Sequence, residues 1–126
     1  AYIDSPHLKA IIDIPHSEDS EDNVKEAIRT IGKNDVHFHF NGEFERLANG
    51  SIGMKRTVFG APIQNYPTLV NELARIGFNG HLCWEFCHNV INEKGLPGTL
   101  KEVDEQTVLA LEYMRGLIAD AKKIYG

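Results

Sequence analysis

No apolar run in this 126-residue chain approaches the ~20 residues that a membrane-spanning helix needs. The opening Ala-Tyr-Ile-Asp-Ser-Pro-His has neither the basic segment nor the apolar core of a signal peptide, so a cytoplasmic location is expected and a membrane partner is not. Cysteine is scarce. Cys83 and Cys87, the only two, lie four apart in one candidate strand, where a bridge between them is geometrically awkward, and free thiols in a reducing compartment are expected. Basic charge is short as well, with 13 Lys and Arg against 18 Asp and Glu, a formal net charge of -5. That balance argues against a nucleic-acid partner, because gripping a phosphate backbone depends on clustered cations that release counterions. What is present, 42% hydrophobic and 25% charged residues, is the make-up of one soluble globular domain over residues 1–126.

The hydrophobic pattern changes period along the chain. Residues 8 to 14, Leu-Lys-Ala-Ile-Ile-Asp-Ile, are a short β-branched run stopped by Pro15, which predicts a strand with Asp13 at its C-terminal end. Val24, Ala27, Ile28 and Ile31 keep helical spacing after an acidic lead-in, with Ser20 as N-cap and Gly32 past the end. Val36-His37-Phe38-His39-Phe40-Asn41 alternates with period two, which puts Val36, Phe38 and Phe40 on one face of a strand and His37, His39 and Asn41 on the other. A long irregular segment is expected from Gly42 to about Gln64, of a length that is usually functional or disordered. Asn65 caps a helix carrying Leu69, Val70, Leu73 and Ile76, which Gly77 ends. Residues 80 to 88 alternate again, with Leu82, Trp84 and Phe86 opposite His81, Cys83, Glu85 and Cys87. A final long helix carries Leu111, Met114, Leu117, Ile118, Ala121 and Ile124 as its apolar face. Strand, helix, strand, helix, strand, helix is the order of parallel β/α units, an α/β fold.

In such folds chemistry gathers where the strands end and the βα loops begin. Each of the three strands delivers one ligand type to that edge: Asp13, His39 and Glu85. Two carboxylates and an imidazole suit a divalent cation, Mn²⁺ foremost, with Mg²⁺, Co²⁺ and Zn²⁺ as the other candidates. Such a set with open positions can hold two adjacent sugar oxygens and stabilise an enediolate by Lewis acidity. Each residue also has a plainer reading. Asp13 before Pro15 suits a turn or cap, and His39 alone suits a hydrogen-bonded core histidine. Glu85 between Trp84 and Phe86 fits that plainer reading least well, since carboxylates are rarely buried without a charged partner.

The segments Asp13-Ile-Pro-His16, His37-Phe-His39 with Asn41-Gly42-Glu43, and Gly77-Phe-Asn-Gly80 leading into Leu82-Cys-Trp-Glu85 resemble the xylose-isomerase-like sugar isomerases and epimerases, in particular the ketose 3-epimerase and sugar-phosphate isomerase branches. The resemblance runs from about residue 8 to residue 125 and implies the last three β/α units, the C-terminal part, of a (β/α)8 TIM barrel. It implies that Asp13, His39 and Glu85 are metal ligands, that Glu85 is also catalytic as an acid/base carboxylate, and that His16 and Arg46 contact the substrate. The substrate implied is a sugar or sugar phosphate, and the reaction a proton transfer next to a carbonyl. The family's fourth ligand, a Glu from an earlier strand, has no counterpart before Leu8. A missing N-terminal barrel portion is therefore expected, and no turnover by these 126 residues alone. Related chemistries of the same barrel, inosose dehydration and hydroxypyruvate isomerisation, are alternatives. So are a homo-oligomeric or non-catalytic α/β assembly module with open sheet edges, and a zinc site drawn from His37, His39, Cys83, Cys87 or His88.

Overall fold

The computed structural model describes residues 5, 7–13, 21–32, 35–55, 65–85 and 94–126, with the backbone alone at 12, 13, 35 and 36. It is a mixed α/β fold. Three strands, β1 (Ala10–Asp13), β2 (Asp35–Phe40) and β5 (His81–Trp84), form a parallel sheet in the order β1-β2-β5. Helices α1 (Glu21–Ile31), α2 (Tyr66–Arg75) and α3 (Leu100–Tyr125) complete the expected alternation. None of the helices among the described residues is long and apolar enough to cross a membrane.

The core sits on the phenylalanine face of β2. Phe38 and Phe40 are buried there with Val24 and Ile28 of α1, Tyr66, Leu69, Val70 and Leu73 of α2, and Ala110, Met114 and Ala121 of α3. Helix α2 packs between α1 and α3. Its ends follow from sequence: Asn65 accepts from the Thr68 amide, Pro67 sits in the first turn, and Gly77 takes φ +69°. The Gly77 and Phe78 amides then return to the carbonyls of Ala74 and Leu73, a Schellman closure that needs the left-handed glycine. Helix α1 also runs into a left-handed glycine, Gly32; its predicted cap, Ser20, lies outside the described residues. On α3 the buried line is Ala110, Met114 and Ala121, with Leu117 and Ile118 at its margin, whereas Leu111 and Ile124 face outward. The apolar face is thus rotated from the expected one, because helical spacing admits two neighbouring stripes and the sheet selects one.

The segment after β2 differs from the irregular loop expected over 42–64. Strands β3 (Phe44–Arg46) and β4 (Ile52–Met54) pair antiparallel as a hairpin. Its tip is closed by Leu47 and Gly50, with Gly50 at φ +83° and its amide on the Leu47 carbonyl. The Asn49-Gly50 pair is the turn signal, and each strand is too short for alternation to register. Outer rungs run from the Lys55 amide to the Glu43 carbonyl and from the Leu47 amide to the Ser51 carbonyl. That phase turns the Phe44 amide and carbonyl away from β4. The Gln106 carboxamide of α3 meets both, at 2.8 and 2.9 Å, and Tyr113 stacks on the Phe44 ring at 5.0 Å.

Candidate functional site

Strand register brings the three predicted strand ends side by side. Asp13 pairs with His39 across β1 and β2, and His39 pairs with Cys83 across β2 and β5. Glu85 follows the end of β5, two residues beyond Cys83, and so returns to the histidine face. Its amide still donates to the Phe40 carbonyl at 2.8 Å, which carries the ladder one rung past the strand. The predicted strand over 80–88 is therefore seen as His81–Trp84, with residues 86–93, including Cys87 and His88, outside the described residues.

Of the three candidate ligands, His39 and Glu85 have described side chains. His39 Nδ1 and Glu85 Oε2 stand 3.6 Å apart, with the two side chains 30% and 35% exposed. That separation is too long for a hydrogen bond and close to the spacing of two ligands around one ion with bonds of about 2.0–2.2 Å. An imidazole nitrogen and a carboxylate oxygen are also donor types that Zn²⁺ and Mn²⁺ accept. The pair fits a divalent cation on both counts. Asp13 is placed next to His39 by backbone register alone, and His16 lies outside the described residues. Among the described residues no group of three or more His, Cys, Asp or Glu side chains is gathered as a metal cage.

Beneath His39, one pleat back, the His37 ring meets it edge-on at 4.8 Å between centroids. His37 Nδ1 also lies 3.8 Å from Cys83 Sγ, and Cys83 is a free thiol. His37 thus supports the His39 ring from the strand interior, as a packing neighbour.

The structure does not bring Arg46 to this pair. Arg46 shares its strand face with Phe44, which is turned to α3, and its guanidinium reaches Glu112 Oε2 at 2.8 Å and the Gly50 carbonyl at 3.2 Å. The resemblance implied a substrate contact for Arg46, which here ends the first strand of the hairpin with its guanidinium on Glu112.

Three residues that the sequence pattern assigned no role hold the strand ends in place. The buried Tyr66 hydroxyl accepts from the Asn41 amide at 2.8 Å and donates to the Asn41 carbonyl at 3.0 Å. Trp84, on the core face of β5, donates its indole N–H to the Gly42 carbonyl at 3.2 Å. Gln106 fixes Phe44, as above. The only available signal was chemical, since a buried phenol or indole needs a hydrogen-bond partner. Gly42 turns the chain here with φ +104°, and a Cβ at this position would stand 2.9 Å from Met54 Cε. No family model, curated protein or solved structure matches the chain.

Proposed function

We propose that this chain carries part of the active site of a divalent-metal-dependent sugar or sugar-phosphate isomerase or epimerase, built as the C-terminal part of a TIM barrel. The observation that supports the reading is the convergence of Asp13, His39 and Glu85 at adjacent ends of parallel strands, with His39 and Glu85 at 3.6 Å. Asp13, His39 and Glu85 would hold the cation. Bound there, it would polarise a carbonyl oxygen and stabilise the negative charge that develops on it. Glu85 takes a proton from the carbon next to that carbonyl, and the partner carboxylate that returns one, to complete an isomerisation or epimerisation, would be the family's Glu from an earlier strand, which these residues do not supply. His16 orients a substrate oxygen. A substrate contact by Arg46 requires its guanidinium to exchange Glu112 for a hydroxyl or phosphate.

Titration of the chain with Mn²⁺, followed by calorimetry and by the Mn²⁺ resonance spectrum, tests this reading. Glu85→Gln and His39→Ala are each expected to weaken binding by about tenfold or more, because each removes a ligand from a sparse set. Equal Mn²⁺ affinity in wild type and Glu85→Gln would overturn it.

One observation favours a second reading, a non-catalytic assembly module. Ile11, on the outer strand of the sheet, and Leu8, just before that strand begins, are 60% and 59% exposed. Such a surface suits pairing with another chain, and it predicts association in solution that Glu85→Gln leaves untouched.

A further inference from the structure

We infer that Trp84 is a positioning residue for the His39–Glu85 pair, its indole N–H setting the spacing of the two donors by holding the chain beyond β2 against β5. The inference rests on reading that pair as a cation site. His39 and Glu85 belong to neighbouring strands, and the distance between their side chains depends on how far those strands stay together past their last paired residues. Among the described residues the last main-chain rung is the Glu85 amide on the Phe40 carbonyl, 2.8 Å. Immediately beyond it β2 turns at Gly42, where φ +104° directs the chain toward the hairpin.

Trp84 supplies a second tie two residues past the end of β2, its N–H on the Gly42 carbonyl at 3.2 Å. Phe40 and Gly42 on one side are thereby joined to Glu85 and Trp84 on the other by two bonds, both immediately beyond His39. Trp84 points to the core face, packed against the buried cluster, while His39 and Glu85 point to the opposite face. Its effect on the donors therefore passes through the backbone, without contact. Trp84 is the only tryptophan in the chain, so its fluorescence follows this tie without interference.

The test is Mn²⁺ and Co²⁺ binding to the whole chain by calorimetry, with the visible spectrum of bound Co²⁺ as a second readout. Trp84→Phe keeps an aromatic ring and loses the donor. It is expected to weaken Mn²⁺ binding about tenfold, the lower end of what loss of a ligand-supporting hydrogen bond costs, and to change the Co²⁺ spectrum. Thr99→Ala, which removes the distant cap of α3, controls for general destabilisation and is expected to leave affinity and spectrum unchanged. Should Trp84→Phe fail to fold, replacement of Trp84 by benzothienylalanine, which has the indole's shape with sulfur in place of N–H, decides by the same criterion. Unchanged affinity and spectrum without the N–H, in a protein whose binding Glu85→Gln weakens, would overturn the positioning role and leave the cation site standing. An equal loss in Thr99→Ala would also overturn it. Absence of binding in wild type, or equal binding in Glu85→Gln, would remove the cation site and this role with it.

Discussion

At Asn41 a single phenol serves both halves of one peptide position. The Tyr66 hydroxyl takes the amide proton and gives its own to the carbonyl, inside a ring cluster with Phe40 at 5.9 Å. Tyr66→Phe preserves that packing and deletes both hydrogen bonds at a buried backbone. It is expected to cost about 1–3 kcal/mol, read as a lower urea midpoint with an unchanged slope. The residues that could be read from sequence were those whose parity could be counted. Alternation assigned His39 and Glu85 each to the polar face of its own strand, and the register sets His39 opposite Cys83, two residues before Glu85. Tyr66, Trp84 and Gln106 were not assigned roles because their partners are main-chain groups 25, 42 and 62 residues away. Nothing local encodes such a distance.

Between elements, the contact of α1 with α2 is organised by Glu72. This carboxylate is buried on α2, yet it accepts from Arg75 Nη2 at 2.7 Å and from Arg29 Nε of α1 at 2.9 Å. The Arg75 hydrogen bond, with that of Arg29 behind it, holds Glu72 below the usual glutamate value of 4.5, against the opposing effect of burial. A carboxyl depressed in the folded state contributes stability above its unfolded value, and that contribution is lost as pH falls through the lower folded value. Glu72→Gln is therefore expected to lower stability by about 1–3 kcal/mol at neutral pH. The gap to wild type should narrow below about pH 4.5, as measured by urea denaturation across pH. A gap that stays constant to pH 3 would contradict this account. At this scale the sequence was informative where chemistry is local: Asn65 and Gly77 mark the ends of α2 as expected. It was silent about the hairpin, whose two strands of three residues span less than two alternation periods each.

At the scale of the molecule, the sheet is unevenly dressed among the described residues. Helices pack on the face of Phe38 and Phe40, while the other face carries the half-exposed His37, His39, Cys83 and Glu85, the exposed His81, and Ile11 opposite His37 in register. Parallel sheets are ordinarily covered on both faces, and both outer strands here belong to a three-stranded sheet. The chain is accordingly expected to associate as concentration rises, by sedimentation velocity, and Ile11→Lys to shift it toward the monomer. A monomer at all concentrations would count against the assembly reading. The α/β alternation and parallel order were legible because each element is long enough to display its period. How many further strands adjoin this sheet is a property of edges, which hydrophobic patterning leaves unspecified.

The Gln106 clamp ties events that are far apart in the chain to one clock. The Phe44 amide has no rung on β4 to protect it and donates to a side chain rooted in the second turn of α3. Its proton can exchange with solvent only when that carboxamide lets go, and the carboxamide is held in place by the helix that carries it. Exchange at Phe44 is therefore expected to report separation of the hairpin from α3, so the strand leaving the candidate site is coupled to the last helix.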